Sequence, residues 1–138
     1  ISLFPNSRIE HIQRAVTDYP GGKEGNVLMV EFTLAGQKFL AMNGGQKMEY
    51  TWAVSMAVDC DDQAEVDRLW DGFLAGGGTA QQCGWLQDRW GLSWQITPRV
   101  LLTLLSDPDK AKAARAFQAM MGMVKLDIAA LERAAAGE

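Results

Sequence analysis

The sequence is poor in the residues from which metal and redox centres are built: it has two cysteines, Cys60 and Cys83, and a single histidine, His11. The cysteines form no CxxC pair and no zinc-type spacing, which excludes a zinc-finger-like centre and predicts two reduced thiols. Cys83 is followed by Gly84 and Trp85 in a glycine-rich stretch, so an accessible thiol stands beside the buried, inert reading. No basic residue adjoins it to lower its pKa. Basic charge is also short. Thirteen Lys and Arg against seventeen Asp and Glu leave a net charge of -4, which gives no general attraction to nucleic acid or to anionic membranes. No apolar run approaches the roughly 20 residues of a membrane span. These absences predict a soluble, cytoplasmic protein with neither nucleic acid nor membrane as partner. The chain opens Ile1-Ser2-Leu3-Phe4 without an initiator methionine or a signal-peptide pattern, so further natural residues are expected upstream.

What is present fits one globular domain: 138 residues, 48% of them apolar and 22% charged. Residues 2–4 read as the tail of a helix stopped by the Pro5-Asn6-Ser7 turn. Residues 8–16 read as a strand, 18–26 as a polar connection and 27–34 as a clearer strand. The two-residue turn Ala35-Gly36 leads to a third strand, 37–42, closed by Asn43-Gly44-Gly45. A strand at 51–58 follows, then a helix at 61–75. Asp62 and Glu65 are spaced as a capping box, and Val66, Leu69, Trp70, Phe73 and Leu74 form an apolar stripe. Shorter strands are expected at 79–83 and 92–96, with 85–91 looping between them. Thr97-Pro98 reads as the start of a short helix to Leu105, Ser106-Asp107-Pro108 as the start of a second, and Asp127 as the cap of a third. Ala114, Phe117, Met120 and Met121 are expected on the apolar face of the second tail helix. The Met120, Met121 and Met123 cluster reads as packing.

This order suggests two copies of a βαβββ unit, the first lacking its opening strand and most of its helix. The stretches Phe4-Pro5-Asn6-Ser7-Arg8-Ile9, Val30-Glu31-Phe32, Asn43-Gly44-Gly45, Val66-Asp67-Arg68-Leu69-Trp70, Cys83-Gly84-Trp85 and Gly91 to Val100 resemble the PhnB-like branch of the glyoxalase, or vicinal oxygen chelate, superfamily. The tail from Ser106 to Leu131 is similar to that branch too. The resemblance implies an α+β fold of paired βαβββ modules forming a cupped mixed sheet, with a C-terminal helical tail. Residues 1–45 would be a partial first module, 51–97 the second and 98–138 the tail of one domain. It further implies a small-molecule ligand and a homodimer, the latter also suggested by the free strand edge and the Met- and Phe-bearing tail.

Many chains of this branch are called 3-demethylubiquinone-9 3-methyltransferases. A methyltransferase of the common type holds its nucleotide cofactor at a glycine-rich turn between a parallel strand and a helix. Gly44-Gly45 leads into a polar loop before an antiparallel-looking strand, and Gly76 to Gly78 follows a helix, so no cofactor is expected. Metal-dependent members of the superfamily use His and Glu ligands. The matching places fall near Phe39, near Ala53 and on Gln95, which cannot supply a ligand set, so no metal is expected. Gln95 can donate and accept hydrogen bonds to a polar substrate group, or only satisfy backbone groups; Asn43 can do likewise, or only shape a turn. Trp85 and Trp90 are candidates for a pocket wall, with core or subunit contact as the alternative, whereas Trp70 and Trp94 read as core. Glu31 is a candidate acid or base, or the ion-pair partner of Arg8 or Arg14. His11 as a general base lacks an assignable acid partner. No residue is assigned to catalysis. Three functional classes follow: a metal-free binding protein, an enzyme such as the methyltransferase of the family name with its cofactor between subunits, and a drug-sequestering protein.

Overall fold

A computed structural model describes residues 1–138. The chain divides into two compact units, Ile1–Met48 and Glu49–Glu138.

The first unit is an antiparallel meander of β1 (Arg8–Arg14), β2 (Val27–Leu34) and β3 (Gln37–Met42). Ahead of it residues 2–3 make a single turn, with the Phe4 N–H donating to the Ile1 carbonyl at 3.2 Å. β1 ends two residues earlier than the sequence suggests. A bulge at Glu10 interrupts its register, and the Glu10 carboxylate accepts from the Thr33 hydroxyl at 2.6 Å. The Ala35-Gly36 turn has both residues at positive φ (49° and 82°), the conformation that suits the twist of a two-residue hairpin. Alternation along β2 puts Val30 and Phe32 on one face, where Phe32 stacks on Phe39 at 5.5 Å, and Met29, Glu31 and Thr33 on the other. The connection from β1 to β2 lies so close to the end of β3 that a Cβ on Gly45 would stand 1.4 Å from the Pro20 carbonyl oxygen. Gly45 also has φ +75°, so this crossing admits only glycine.

The second unit opens with a complete βαβββ module: β4 (Ser55–Cys60), α1 (Gln63–Ala75), β5 (Thr79–Ala80), β6 (Trp85–Gln87) and β7 (Ser93–Pro98). The strand order is β4-β7-β6-β5, with β4 parallel to β7 and the other pairs antiparallel. Residues 1–48 contain no counterpart of β4 and α1. α1 begins as the capping box predicts: Asp62 accepts from the Glu65 N–H at 2.8 Å, while the Glu65 carboxylate reaches back to the Asp61 N–H at 2.9 Å. Its buried stripe is Val66, Leu69, Trp70 and Phe73.

Several boundaries differ from the sequence reading. β4 starts at Ser55, so residues 51–54, Ala53 among them, lie outside it. The strand expected at 79–83 is only Thr79–Ala80, and Trp85–Gln87, expected in a loop, is an inner strand of the sheet. The cause is local. Cys83 (φ 58°) and Gly84 (φ 80°) turn the chain sharply, and three residues of strand are too few to show alternation. The strand after Gly44-Gly45 is also parallel to its neighbour rather than antiparallel.

Three helices follow, α2 (Arg99–Leu105), α3 (Lys110–Met121) and α4 (Ile128–Ala136). Thr97 lies in β7, and Pro98 occupies the N-cap of α2 without a side-chain cap bond. Asp109, rather than the Ser106-Asp107 pair, caps α3, whereas Asp127 caps α4 as expected. The helices share a core of Leu101, Leu104, Ala116, Leu126, Leu131 and Ala135. The buried face of α3 is only partly the expected one: Met120 packs inward beside Ala116, while Phe117 and Met121 are 49% and 54% exposed and Ala114 is exposed. α3 carries alanine on several sides, and the side with small residues permits the closest helix approach.

Polar contacts tie this tail to the module. The Gln63 amide donates to the Leu126 carbonyl at 3.1 Å and accepts from the Ile128 N–H at 2.8 Å. Lys125 pairs with Asp67 at 2.8 Å, and the N–H groups of Cys83 and Gly84 donate to the carbonyls of Met123 and Val124.

Two predictions follow from these contacts. Gly45→Ala should lower stability by about 2 kcal/mol or more, whereas Gly36→Ala, with open space around its Cβ, should cost about 1 kcal/mol, both read by urea denaturation. Hydrogen bonds from Lys125 and Gln63 hold the Asp67 carboxyl below its ordinary range. A depressed carboxyl contributes at neutral pH, and that contribution fades as pH falls through the folded-state value. Lys125→Met should therefore reduce stability near neutrality by under about 1 kcal/mol and narrow the gap to the unaltered protein below about pH 4.

Candidate functional site

Which way each residue of the second sheet points is set by α1. It packs on β4 and β7, with the Phe73 and Trp94 rings 4.7 Å apart. Trp94, Ile96 and Leu86 therefore face the helix and are buried. The alternate residues face away: Ser93, Gln95 and Thr97 on β7, Ser55, Ala57 and Asp59 on β4, Trp85 and Gln87 on β6.

On this face the register sets Trp85 directly across from Gln95, and Ala57 is the partner of Gln95 on its other side. Two of the sequence candidates thus meet. Gln95 Nε2 donates to Ser55 Oγ at 2.8 Å, which leaves its Oε1 as an acceptor. Ser93 Oγ is the further feature of the site that sequence reasoning missed: the residue is 1% exposed, and its hydroxyl has no hydrogen-bond partner. A buried hydroxyl left unpaired is costly. The only advance sign was its place two residues before Gln95 in an alternating strand.

Asp88, also unflagged in the sequence, shapes the turn beside this face. One carboxylate oxygen accepts from the N–H groups of Trp90 and Leu92, the other from the Trp94 indole at 3.1 Å. Trp90 sits in that turn, 69% exposed, with the Arg89 guanidinium 4.2 Å from its ring centroid. It does not join Trp85.

The remaining candidates belong to the first unit. Asn43 Nδ2 donates to the Val27 carbonyl at 2.8 Å, which is turn-shaping work. Glu31 is exposed and stands across from His11 on β1, giving that histidine the acid neighbour that could not be assigned from sequence. The expected ion pair is not made: Arg8 binds Glu10 at 2.8 Å, and Arg14 donates to the Gly25 carbonyl.

Neither implied cofactor finds a fitting set of residues. Phe39 stacks on Phe32, Ala53 lies outside the sheet, Gln95 is a neutral amide, and no three His, Cys, Asp or Glu side chains converge. The turn from parallel β4 into α1 carries Asp61-Asp62 instead of glycines, and Gly76 to Gly78 leads from α1 into β5. Without glycine this turn offers no close backbone approach, and its N–H groups are already used: the Glu65 N–H donates to Asp62 and the Asp61 N–H to the Glu65 carboxylate. The thiols are equally distinct. Cys60 is fully buried, and burial pushes its pKa up to about 12. Cys83, for which the sequence sets burial against accessibility, is half-buried, with Sγ 3.8 Å from the Met121 sulfur.

A protein-family profile described as 3-demethylubiquinone-9 3-methyltransferase matches residues 1–97. The putative 3-demethylubiquinone-9 3-methyltransferase, PhnB protein, from Bacillus cereus is 34% identical over 70% of this chain and 83% of its own, with a TM-score of 0.60. The chain belongs to this PhnB-like family. Its fold is α+β of the glyoxalase-like kind, with two sheets and four helices. Protein PA1353 from Pseudomonas aeruginosa is 19% identical over 61% of this chain and 74% of its own, at a TM-score of 0.43. A protein from Staphylococcus aureus is 26% identical over 67% and 74%, at 0.27. No curated protein matches the chain. The family match stops at residue 97, so helices α2 to α4 of this PhnB-like protein lie beyond it.

Because its hydroxyl has no partner, Ser93→Ala should leave stability unchanged or raise it by up to about 1 kcal/mol in urea denaturation. An ordinary buried, bonded serine would lose that much instead.

Proposed function

We propose that this PhnB-like protein binds a flat small molecule, without a metal, on the face of the second sheet turned away from α1. One observation carries the reading: the indole of Trp85 and the amide of Gln95 are register partners on that face. An aromatic surface next to convergent hydrogen-bonding groups is the usual composition of a small-molecule site. Binding alone needs no acid or base there. The same face suits a sequestering protein as well as an enzyme whose reactive groups come with its substrate.

Methyl transfer, named in the family description, is the second reading, and the glycine-free β4–α1 turn, its N–H groups already bonded, counts against the usual cofactor site. Cytoplasmic residence is part of the same proposal; its support is the two free thiols, Cys60 and Cys83, which a reducing compartment keeps unpaired. A homodimer is also part of the proposal. Its support is the exposed Leu102, Phe117 and Met121 on the tail, apolar side chains of the kind that subunits bury.

Tryptophan fluorescence during a screen of flat aromatic ligands tests the main reading. A saturable response should appear and weaken by at least about tenfold in Gln95→Leu. Saturable binding of S-adenosylmethionine that ignores this substitution would instead support the enzyme. Sedimentation at low micromolar concentration should show twice the chain mass; a species of one chain mass at every concentration contradicts the dimer.

A further inference from the structure

The proposed ligand face has a charge character that narrows its ligand. Of the side chains that β4, β6 and β7 send to it, none is Lys, Arg or His, and the one charged group is Asp59. Arg99, which follows β7 at the start of α2, is already held by two carboxylates, Asp59 at 3.2 Å and Asp61 at 2.7 Å. That corner carries a net negative charge. The N-terminus of α1 gives no anion site either, since Asp62 occupies it. Carboxylates, phosphates and phosphonates are bound by guanidinium or ammonium groups or by free backbone N–H groups, and a site without them leaves an anion desolvated and unpaired.

The neutral polar groups of the face are complementary in a specific way. Gln95 Oε1 is an acceptor, because the amide nitrogen is turned to Ser55 Oγ. That serine accepts this bond, so its own O–H is left as a donor. An acceptor beside a hydroxyl donor matches a group that presents N–H and C=O side by side. Trp85, across from Gln95, supplies a flat surface for the ring bearing that group.

We infer that the ligand of this face is uncharged, an aromatic or heteroaromatic carboxamide or lactam, and that the site discriminates against carboxylate and phosphonate analogues of the same shape. The inference rests on the binding face proposed above. Gln95 and Ser55 act as specificity determinants, with Trp85 as the stacking surface.

Three probes of one ring and different charge separate the possibilities: benzamide, benzoate and phenylphosphonate, titrated into the full chain at low ionic strength and followed by amide and indole NMR shifts. Benzamide should bind at least about tenfold more tightly than either anion, and its affinity should fall in both Gln95→Leu and Ser55→Ala. Ser55→Ala is the smaller change and keeps the test valid if the leucine variant unfolds. Equal or tighter binding of benzoate or phenylphosphonate, still sensitive to these substitutions, overturns the neutral class and leaves the binding face standing. No binding of any probe, or binding that ignores both substitutions, overturns the face as well.

Discussion

Burying Val66, Leu69, Trp70 and Phe73 of α1 against Trp94 and the helix-facing side of β4 and β7 decides how the whole second sheet is oriented. A fully buried Leu or Phe side chain is worth about 1.5–3 kcal/mol, so a one-residue slip of β7 would expose Trp94 and Ile96 at a cost no surface contact offsets. Strand side chains alternate with a period of two. Once Trp94 and Ile96 face the helix, Ser93 and Gln95 must face the other way, and pairing with β6 then sets Trp85 beside Gln95. The candidate site is a consequence of the core.

A second set of contacts holds the tail to this module. Gln63 uses both ends of its amide at the start of α4, Lys125 reaches Asp67 on α1, and the turn at Cys83-Gly84 hydrogen-bonds to the segment after α3. That turn also launches β6, the strand that carries Trp85. The tail, outside the family match, is therefore anchored on the segment that positions one of the proposed ligand contacts.

Much of the fold was legible because it rests on local rules. The capping box at Asp62, the stripe of α1, the Ala35-Gly36 turn and the Asp127 cap all appear where sequence chemistry puts them. What escaped notice depended on partners distant in sequence. β6 is three residues long and recognisable only beside β7, and an alanine-rich α3 can pack through more than one face, so Phe117 and Met121 of its expected apolar face stay exposed while Ala116 is buried. At the site, the opposite orientations of Gln95 and Trp94 followed from alternation alone. The meeting of Gln95 with Trp85, the unpaired Ser93 and the pairing of His11 with Glu31 needed the register.

The central claim is that ligand meets the sheet on the side of Gln95 and not on the side of α1, and the five tryptophans provide built-in reporters of it. With indole nitrogens labelled and their signals assigned, a ligand found by the fluorescence screen should shift the Trp85 resonance. Trp70, inside the core, and Trp94, bonded to Asp88, should stay in place. Shifts at Trp70 or Trp94 with Trp85 unmoved would put the ligand on the helix side and contradict the account.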